Sequence, residues 1–109
     1  MRFAPYFSTI LLIGTTSLTH ATPAEFEITI RDHRFTPATV TVPAGVRIKL
    51  KIINTDATAE EFESRRLNRE KVIPGNSSTA VLVGPLQAGE YDFFGEFNQA
   101  TAQGKIIAK

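Results

Sequence analysis

The segment "VRIKLKIIN", residues 46–54, limits the fold of this chain more narrowly than any other. Every second side chain in it is apolar, and most of the intervening side chains are basic. The apolar positions are Val46, Ile48, Leu50 and Ile52. A period of two residues places all apolar side chains on one face of an extended strand, whereas a helix would scatter them around its axis. The segment therefore predicts a half-buried β-strand.

The same alternation recurs along the chain. It is present in "EFEITIRD" and "ATVTVPAG", and further strands are predicted at "STAVLVG", "GEYDFF" and "GKIIAK". Turn signals separate them at Pro74-Gly75-Asn76 and at Gly89. No segment has a sustained helical period, although "EEFESRRLNREK" allows one helical turn. About six or seven short strands with regular turns predict an all-β sandwich with Greek-key connections.

The first 21 residues have the layout of a secretory signal peptide. Arg2 precedes an apolar centre that runs from Tyr6 to Ile13, and the segment contains no acidic residue. Small residues at Thr19 and Ala21 favour cleavage after Ala21, with Ala24 as the alternative. We therefore expect a signal peptide over residues 1–21, a single domain over residues 22–109 and a periplasmic location, with no membrane insertion after cleavage.

Charge and cysteine content exclude several classes of function. The chain has 12 basic and 11 acidic residues, and removal of Arg2 with the signal peptide leaves 11 of each. No basic excess remains to attract nucleic acid. The absence of cysteine excludes disulfides, a lipid-modified cysteine and any thiolate metal centre.

Three features carry residues that can bind a metal. Two acidic groups alternate around aromatic residues, and the third feature is one histidine in "RDHRFTP". The residues concerned are Glu60, Glu61, Glu63 and Glu70 in the first group, Glu96 with Asn98 in the second, and His33. If "EEFES" is extended, Glu61 and Glu63 project to one face and Phe62 to the other.

Each feature also has a purely structural interpretation. The acids are interleaved with Arg65, Arg66, Arg69 and Lys71, a pattern typical of a solvated loop with surface ion pairs worth about 0–1 kcal/mol each. A single histidine often serves only as a hydrogen-bonding group. Phe93, Phe94 and Phe97 fit core and rim packing. Nothing in the sequence resembles a catalytic triad.

The order of these elements resembles the cupredoxin fold over nearly all of residues 22–109. The resemblance rests on short motifs in a fixed order and spacing. They are Phe35-x-Pro37, Pro43-Ala44-Gly45, Asn54, Pro74-Gly75, Gly89-x-Tyr91 and Gly104. A blue-copper cupredoxin would have its first histidine ligand at Glu60 or Glu61, its cysteine at Gly95 and its second histidine at Asn98. The resemblance therefore implies the fold without a blue-copper centre, because that centre needs a His₂Cys ligand set.

A narrower resemblance is carried by "EEFESRRLNREKVIPG" and "GPLQAGEYDFFGEFNQATAQG". These segments are similar to cupredoxin-like proteins of bacterial ferrous-iron uptake, including the EfeO type and small periplasmic partners of iron permeases. The resemblance implies metal ligands from carboxylates and a histidine, namely Glu61, Glu63, Glu70, Glu96 and His33. That group often has histidine where this chain has Asn98. Oxygen-rich ligands favour iron, and Cu²⁺ competes on affinity.

Two functional hypotheses follow. In the first, the protein binds iron or copper and assists an inner-membrane iron permease together with other periplasmic uptake components. Oxidation of ferrous iron is a further activity that this role would allow, but no electron acceptor is evident in the sequence. In the second, the domain binds no metal and acts as a protein-interaction module of the same uptake complex, through Arg65, Arg66, Arg69 and the exposed acids.

Overall fold

The computed structural model of the protein describes Gly14 and residues 22–109. Apart from Gly14, the predicted signal peptide at residues 1–21 lies outside the described residues. None of the helices among the described residues has the length and apolar character needed to cross a membrane.

Residues 22–109 form two β-sheets packed face to face, which confirms the predicted all-β sandwich. This part of the chain contains nine strands and one short 3₁₀ turn. The strands are β1 (Ala24–Arg31), β2 (Arg34–Thr36), β3 (Thr39–Val42), β4 (Ile48–Asn54), β5 (Glu60–Ser64), β6 (Arg69–Ile73), β7 (Ser77–Val83), β8 (Gly89–Gly95) and β9 (Gln103–Ala108). The 3₁₀ turn spans Glu96–Asn98, between β8 and β9. One sheet has the order β2-β1-β4-β7 and the other β3-β9-β8-β5-β6.

The predicted alternation of β4 is present in the first sheet. Ile48, Leu50 and Ile52 are buried between the sheets, while Lys49 and Lys51 lie on the outer face. β1 runs parallel to β4 on one side, and β7 runs antiparallel to it on the other. Because β4 pairs with a strand on each side, it is a central strand of the sheet, and its backbone N–H and C=O groups have partners.

Aromatic side chains join the two sheets near the end of the sandwich where β4 leads into β5. The ring of Phe35 meets Phe93 edge-on at a centroid distance of 5.0 Å, and Phe62 lies 5.0 Å from Phe93. All three residues are buried. Burial of one such ring contributes about 1.5–3 kcal/mol to stability, and the edge-on geometry adds to this. This packing holds β5 firmly against β8.

The segment "EEFESRRLNREK" forms a hairpin, so the helical turn that the sequence allowed is absent here. β5 and β6 pair antiparallel, with Glu61 opposite Val72 and Glu63 opposite Glu70. Asn68 adopts a left-handed conformation in the connecting turn, with a φ of 51°. Asparagine tolerates this conformation better than most residues, which favours a reversal of the chain over a continued helix.

Candidate metal centre

Strand β5 separates two adjacent acids onto opposite faces of its sheet. Glu60, Phe62 and Ser64 point between the sheets and are buried, whereas Glu61 and Glu63 point to the outer face. Because neighbouring side chains on a strand alternate, a pair of adjacent acids must place one carboxyl group toward the interior. Here that group belongs to Glu60, which the sequence analysis counted among the acids that can bind a metal but not among the ligands that the resemblance implies.

Three carboxylates meet on the outer face, and we call Glu61, Glu63 and Glu70 the carboxylate cluster. Each offers one oxygen atom, and these oxygens all lie within 4.8 Å of one another. The register explains the meeting, since Glu63 pairs directly with Glu70 and Glu61 is on the same face of β5. Metal–oxygen bonds are about 2.0–2.6 Å long, so oxygens on opposite sides of one cation lie about 4–5 Å apart. The spacing of the cluster suits a single cation.

The pKa values of two cluster residues are raised by this crowding. The pKa of Glu61 rises to about 7, first because its protonated carboxyl donates a hydrogen bond to Glu70, then because of desolvation and the negative charges of Glu70, Glu63 and Glu96. The pKa of Glu63 is raised by desolvation, followed by a hydrogen bond to Glu96 and the charges of Glu96 and Glu70, while Arg65 opposes the shift. Both shifts indicate negative charges that lack sufficient compensation.

Glu96 therefore lies beside the carboxylate cluster, at its Glu63 side. It belongs to the 3₁₀ turn that follows β8. β8 pairs with β5, with Phe94 opposite Glu63. The sequence interpretation placed Glu96 with Glu61, Glu63 and Glu70, and the structure brings these four residues together.

His33 lies elsewhere. Its ring nitrogen Nδ1 is 3.6 Å from Oδ2 of Asp56, and the backbone N–H groups of Asp32 and His33 both donate to the Asp56 carboxylate. The hydrogen bond from the His33 backbone is the largest cause that lowers the pKa of Asp56. The structure does not bring His33 into the carboxylate cluster. The neighbour that it shows for the imidazole is Asp56, in the loop between β4 and β5.

The nearby arginines do not form close ion pairs with the cluster. Arg66 lies over the ring of Tyr91 at 4.8 Å and donates to the backbone oxygen of Glu90. Arg69 donates through Nε to the backbone oxygen of Leu82. The ion pairs of the described residues are Glu27–Lys51, Glu90–Lys105 and Asp56–His33, and none involves the cluster or Glu96. The predicted surface ion pairs between these acids and arginines are therefore absent at the 4.0 Å limit within residues 22–109.

On the inner side of β5 lie the residues at the positions that the cupredoxin resemblance assigns to copper ligands, Glu60, Gly95 and Asn98. Glu60 is 1% exposed, and its Oε2 accepts a hydrogen bond of 2.6 Å from Nδ2 of Asn98. A Cβ atom at Gly95 would lie 2.7 Å from Cδ of Glu60 and 2.6 Å from Cβ of Ala102. A cysteine side chain therefore has no room at position 95 while Glu60 keeps this conformation. The residues present do not fit a blue-copper ion, in agreement with the expectation from the missing ligands.

Comparison with known proteins identifies relatives at the level of family and fold. The cupredoxin-like domain family matches residues 4–108. An uncharacterized protein of Rickettsia prowazekii (strain Madrid E), RP394, is 49% identical over 83 residues. That match covers 76% of this chain and 66% of the relative's length.

Three solved structures superpose well on this chain despite low sequence identity. Auracyanin A, a blue copper protein from Chloroflexus aurantiacus, has a TM-score of 0.69 at 16% identity, covering 81% of this chain and all of that one. The metal-binding domain of the Cu(I)-exporting ATPase CopA of Streptococcus pneumoniae D39 has a TM-score of 0.67 at 11% identity, with 78% and 84% covered. Amicyanin from Paracoccus versutus has a TM-score of 0.62 at 15% identity, with 83% and 86% covered. At these identities the likeness concerns the fold.

Proposed function

We propose that this chain, which belongs to the cupredoxin-like domain family, is an exported protein that binds iron through carboxylates. In this proposal Glu61, Glu63 and Glu70 are direct ligands and Glu96 completes the site from the 3₁₀ turn. His33 has no ligand role, because its imidazole is beside Asp56.

One observation carries the proposal: four acids converge on one patch, and among the described residues none of them forms an ion pair within 4.0 Å, although the charge of Arg65 acts on Glu63. Glu61 is only 8% exposed, and its neighbours Glu63 and Glu70 on the same face are also carboxylates. A buried carboxylate beside other carboxylates is unfavourable unless a cation offsets the charge. The sequence left open whether arginines or a metal would fill this role, and the positions of Arg66 and Arg69 favour the metal.

The donor atoms decide which metals suit the site. All candidate ligands are carboxylate oxygens, which are hard donors that suit Fe²⁺, Fe³⁺ and Mn²⁺ better than Cu⁺. Cu²⁺ remains a competitor, since its affinity for most oxygen and nitrogen sites exceeds that of Fe²⁺. Iron is the metal that we propose, because the motifs "EEFESRRLNREK" and "GEFNQATAQG" resemble those of EfeO-type iron-uptake proteins.

The physiological role that we propose is assistance to an inner-membrane iron permease from the periplasm. Two features support it: the signal-peptide layout of residues 1–21 and the place of the carboxylate cluster on the outer face of the sheet, where its Glu70 is exposed. An outer-face site at an edge of the sheet allows a ligand to enter and leave without unfolding the domain. A buried copper-like site would exchange its metal less readily.

Equilibrium dialysis of the protein, expressed without residues 1–21, against Fe²⁺ under anaerobic conditions, Fe³⁺ and Cu²⁺ tests the metal site. We expect one iron per chain and a loss of affinity of about tenfold or more in Glu61→Gln and in Glu70→Gln. The exposed Glu25→Gln is the matched control and should bind as the parent does. Absence of stoichiometric binding, or equal binding by the Glu61 variant, would end the proposal.

Exposed apolar side chains favour a second candidate, a metal-free interaction module. Phe97 is 53% exposed and Val72 is 51% exposed. Val72 pairs with Glu61 of the carboxylate cluster, and Phe97 follows Glu96 in the chain. Such a patch fits a partner that presents apolar and basic groups. Co-purification of permease components that persists in Glu61→Gln but is lost in Phe97→Ser would favour this candidate over metal binding.

A further inference from the structure

We propose that Glu60 is a positioning residue that replaces a metal ion as the link between β5 and the loop that joins β8 to β9. We call residues 96–102 the closing loop. In this proposal the buried Glu60 carboxylate holds the closing loop in place, and thereby keeps Glu96 beside Glu63. The proposal concerns the metal-free protein and does not depend on iron binding.

The hydrogen bonds of Glu60 connect two distant parts of the chain. Oε1 accepts from the backbone N–H of Glu61 at 3.0 Å and from that of Phe97 at 2.9 Å. Oε2 accepts from Nδ2 of Asn98 at 2.6 Å. Both oxygens are therefore occupied, and two of the three donors belong to the closing loop. A buried carboxyl with this many donors is a strong local constraint, because removal of its acceptors would leave buried N–H groups unpaired.

Asn98 is hydrogen-bonded to the later residues of the closing loop as well as to Glu60. Its backbone oxygen accepts from the N–H of Ala102 at 2.8 Å and from that of Thr101 at 3.2 Å. The oxygen of Ala102 in turn accepts from the N–H of Gly95 at 2.8 Å, which closes the loop onto the end of β8. The Asn98 side chain thus connects Glu60 to a loop that is held otherwise by its own backbone and by the Thr101 hydroxyl, which donates to the backbone oxygen of His33 at 2.6 Å.

Gly95 shows that Glu60 occupies the space where a ligand side chain would stand. Any Cβ at this position would lie 2.8 Å from Oε1 of Glu60. The backbone φ of Gly95 is −94°, which other residues adopt without strain, so glycine is required by space and not by backbone conformation. Glu60 and Gly95 therefore form a matched pair: the carboxylate fills the volume that the missing side chain leaves free.

The position of Glu96 follows from this arrangement. It lies between Gly95, at the end of β8, and Phe97, whose N–H is held by Glu60. Two residues before Glu96, Phe94 pairs with Glu63 of β5, so the chain enters the closing loop beside this part of β5. We infer that Glu60, on the inner face of β5, fixes the position of Glu96 relative to Glu63 on the outer face by binding the next residue, Phe97.

Exchange of donor and acceptor between positions 60 and 98 tests the proposal. Glu60→Gln replaces the oxygen that faces Nδ2 of Asn98 by an N–H₂ group, so the observed hydrogen bond is lost unless the Asn98 amide flips, and in either case the N–H donors of the closing loop lose a charged acceptor. In the double variant Glu60→Gln with Asn98→Asp, the amide at 60 can donate to the carboxylate at 98, and the net charge equals that of the parent. Hydrogen exchange of the Phe97 and Ala102 amides in metal-free protein, followed by NMR, reports on the closing loop.

We expect exchange at these amides to be about tenfold or more faster in Glu60→Gln, as for loss of one buried hydrogen bond, and to be restored in the double variant. The exposed Glu25→Gln should leave it unchanged. If Glu60→Gln does not fold, Asn98→Ala, which retains Glu60, should show the same faster exchange. Unchanged protection in the Glu60→Gln or Asn98→Ala variant, or no restoration in the double variant, would overturn the proposal. Because no metal is present in these measurements, the result is separate from that of the dialysis experiment.

Discussion

At the scale of single residues, Glu61 shows how position decides the chemistry of a side chain. It follows Glu60 directly in sequence, yet the two carboxyl groups lie in opposite environments. Glu60 accepts three hydrogen bonds from N–H donors in the interior. Glu61 instead faces Glu63 and Glu70 on the outer side of the sheet, and its pKa is raised to about 7. The same residue type therefore acts as an internal link at one position and as a candidate ligand at the next.

The raised pKa of Glu61 predicts the sign of a pH effect on stability. Between the ordinary value of 4.5 and about 7, the folded protein holds more protons than the unfolded chain. The free energy of unfolding therefore falls as pH rises through this window. The upward shift of Glu63 acts in the same direction.

Glu61→Gln should remove most of this dependence. In metal-free protein, we expect the variant to be more stable than the parent above about pH 7 and to differ little below pH 4.5, as measured by urea unfolding across the range. Glu25→Gln should follow the parent at every pH. A variant that loses stability above neutral pH would contradict the assigned environment.

At the scale of elements, the side-chain amide of Asn54 links the end of β4 to the end of β6 and to the loop before β5. Asn54, at the end of β4, is 1% exposed. Its Nδ2 donates to the backbone oxygens of Thr58, Ile73 and Pro74, and its Oδ1 accepts from the N–H of Asp56. It thus joins the end of β4 to the start of the β5–β6 hairpin and to the turn before β7. The sequence marker Asn54 is explained by this role, which requires both a donor and an acceptor.

Asn54→Ala should destabilise the protein by about 3 kcal/mol, since several buried backbone oxygens lose their donor. Asn54→Asp should be at least as unfavourable, because it turns an oxygen toward three carbonyl groups. The outward-facing Ser78→Ala on β7 is the control and should change stability by less than about 0.5 kcal/mol. Chemical denaturation at constant pH measures all three, and a neutral effect of Asn54→Asp would contradict the donor role.

Strands with clean alternation were predictable, whereas the elements that build the site were less so. In β4 the apolar positions alone identify the strand and its inner face. In β5 an inner face of Glu60, Phe62 and Ser64 has only one apolar residue, so hydrophobic periodicity gives little signal. The first four residues of β6 are all exposed, so this strand also lacks a hydrophobic alternation that the sequence could reveal. The proposed metal ligands are charged residues on the outer face. The alternation of apolar residues, which predicts strands, does not predict where such charged residues meet.

At the scale of the whole molecule, a buried carboxylate joins the inner face of β5 to the closing loop. Glu60 and Asn98 are 38 residues apart in sequence and 2.6 Å apart across the hydrogen bond. From this contact we predict that a set of copper ligands can be introduced at these positions only when Glu60 is replaced. The required ligand set is one cysteine and two histidines.

We expect Gly95→Cys, Asn98→His and Ala102→Gly, combined with Glu60→His, to give a protein that binds Cu²⁺ and shows the visible absorption of a copper–thiolate centre. Ala102→Gly relieves the second close contact at position 95. The matched control carries the same substitutions but retains Glu60, and should remain colourless with Cu²⁺. Equal absorption in both proteins would show that Glu60 does not occupy the copper position.

The sequence by itself determined the all-β fold, the absence of a thiolate centre and the residue types available for a metal, because strand periodicity and side-chain chemistry are local properties. It also identified the four acids that the structure brings together. Only the tertiary structure decided that His33 is beside Asp56, that Arg66 and Arg69 bind backbone oxygens, and that Glu60 turns inward. These outcomes depend on strand register and on contacts between residues far apart in the chain, which no local pattern encodes.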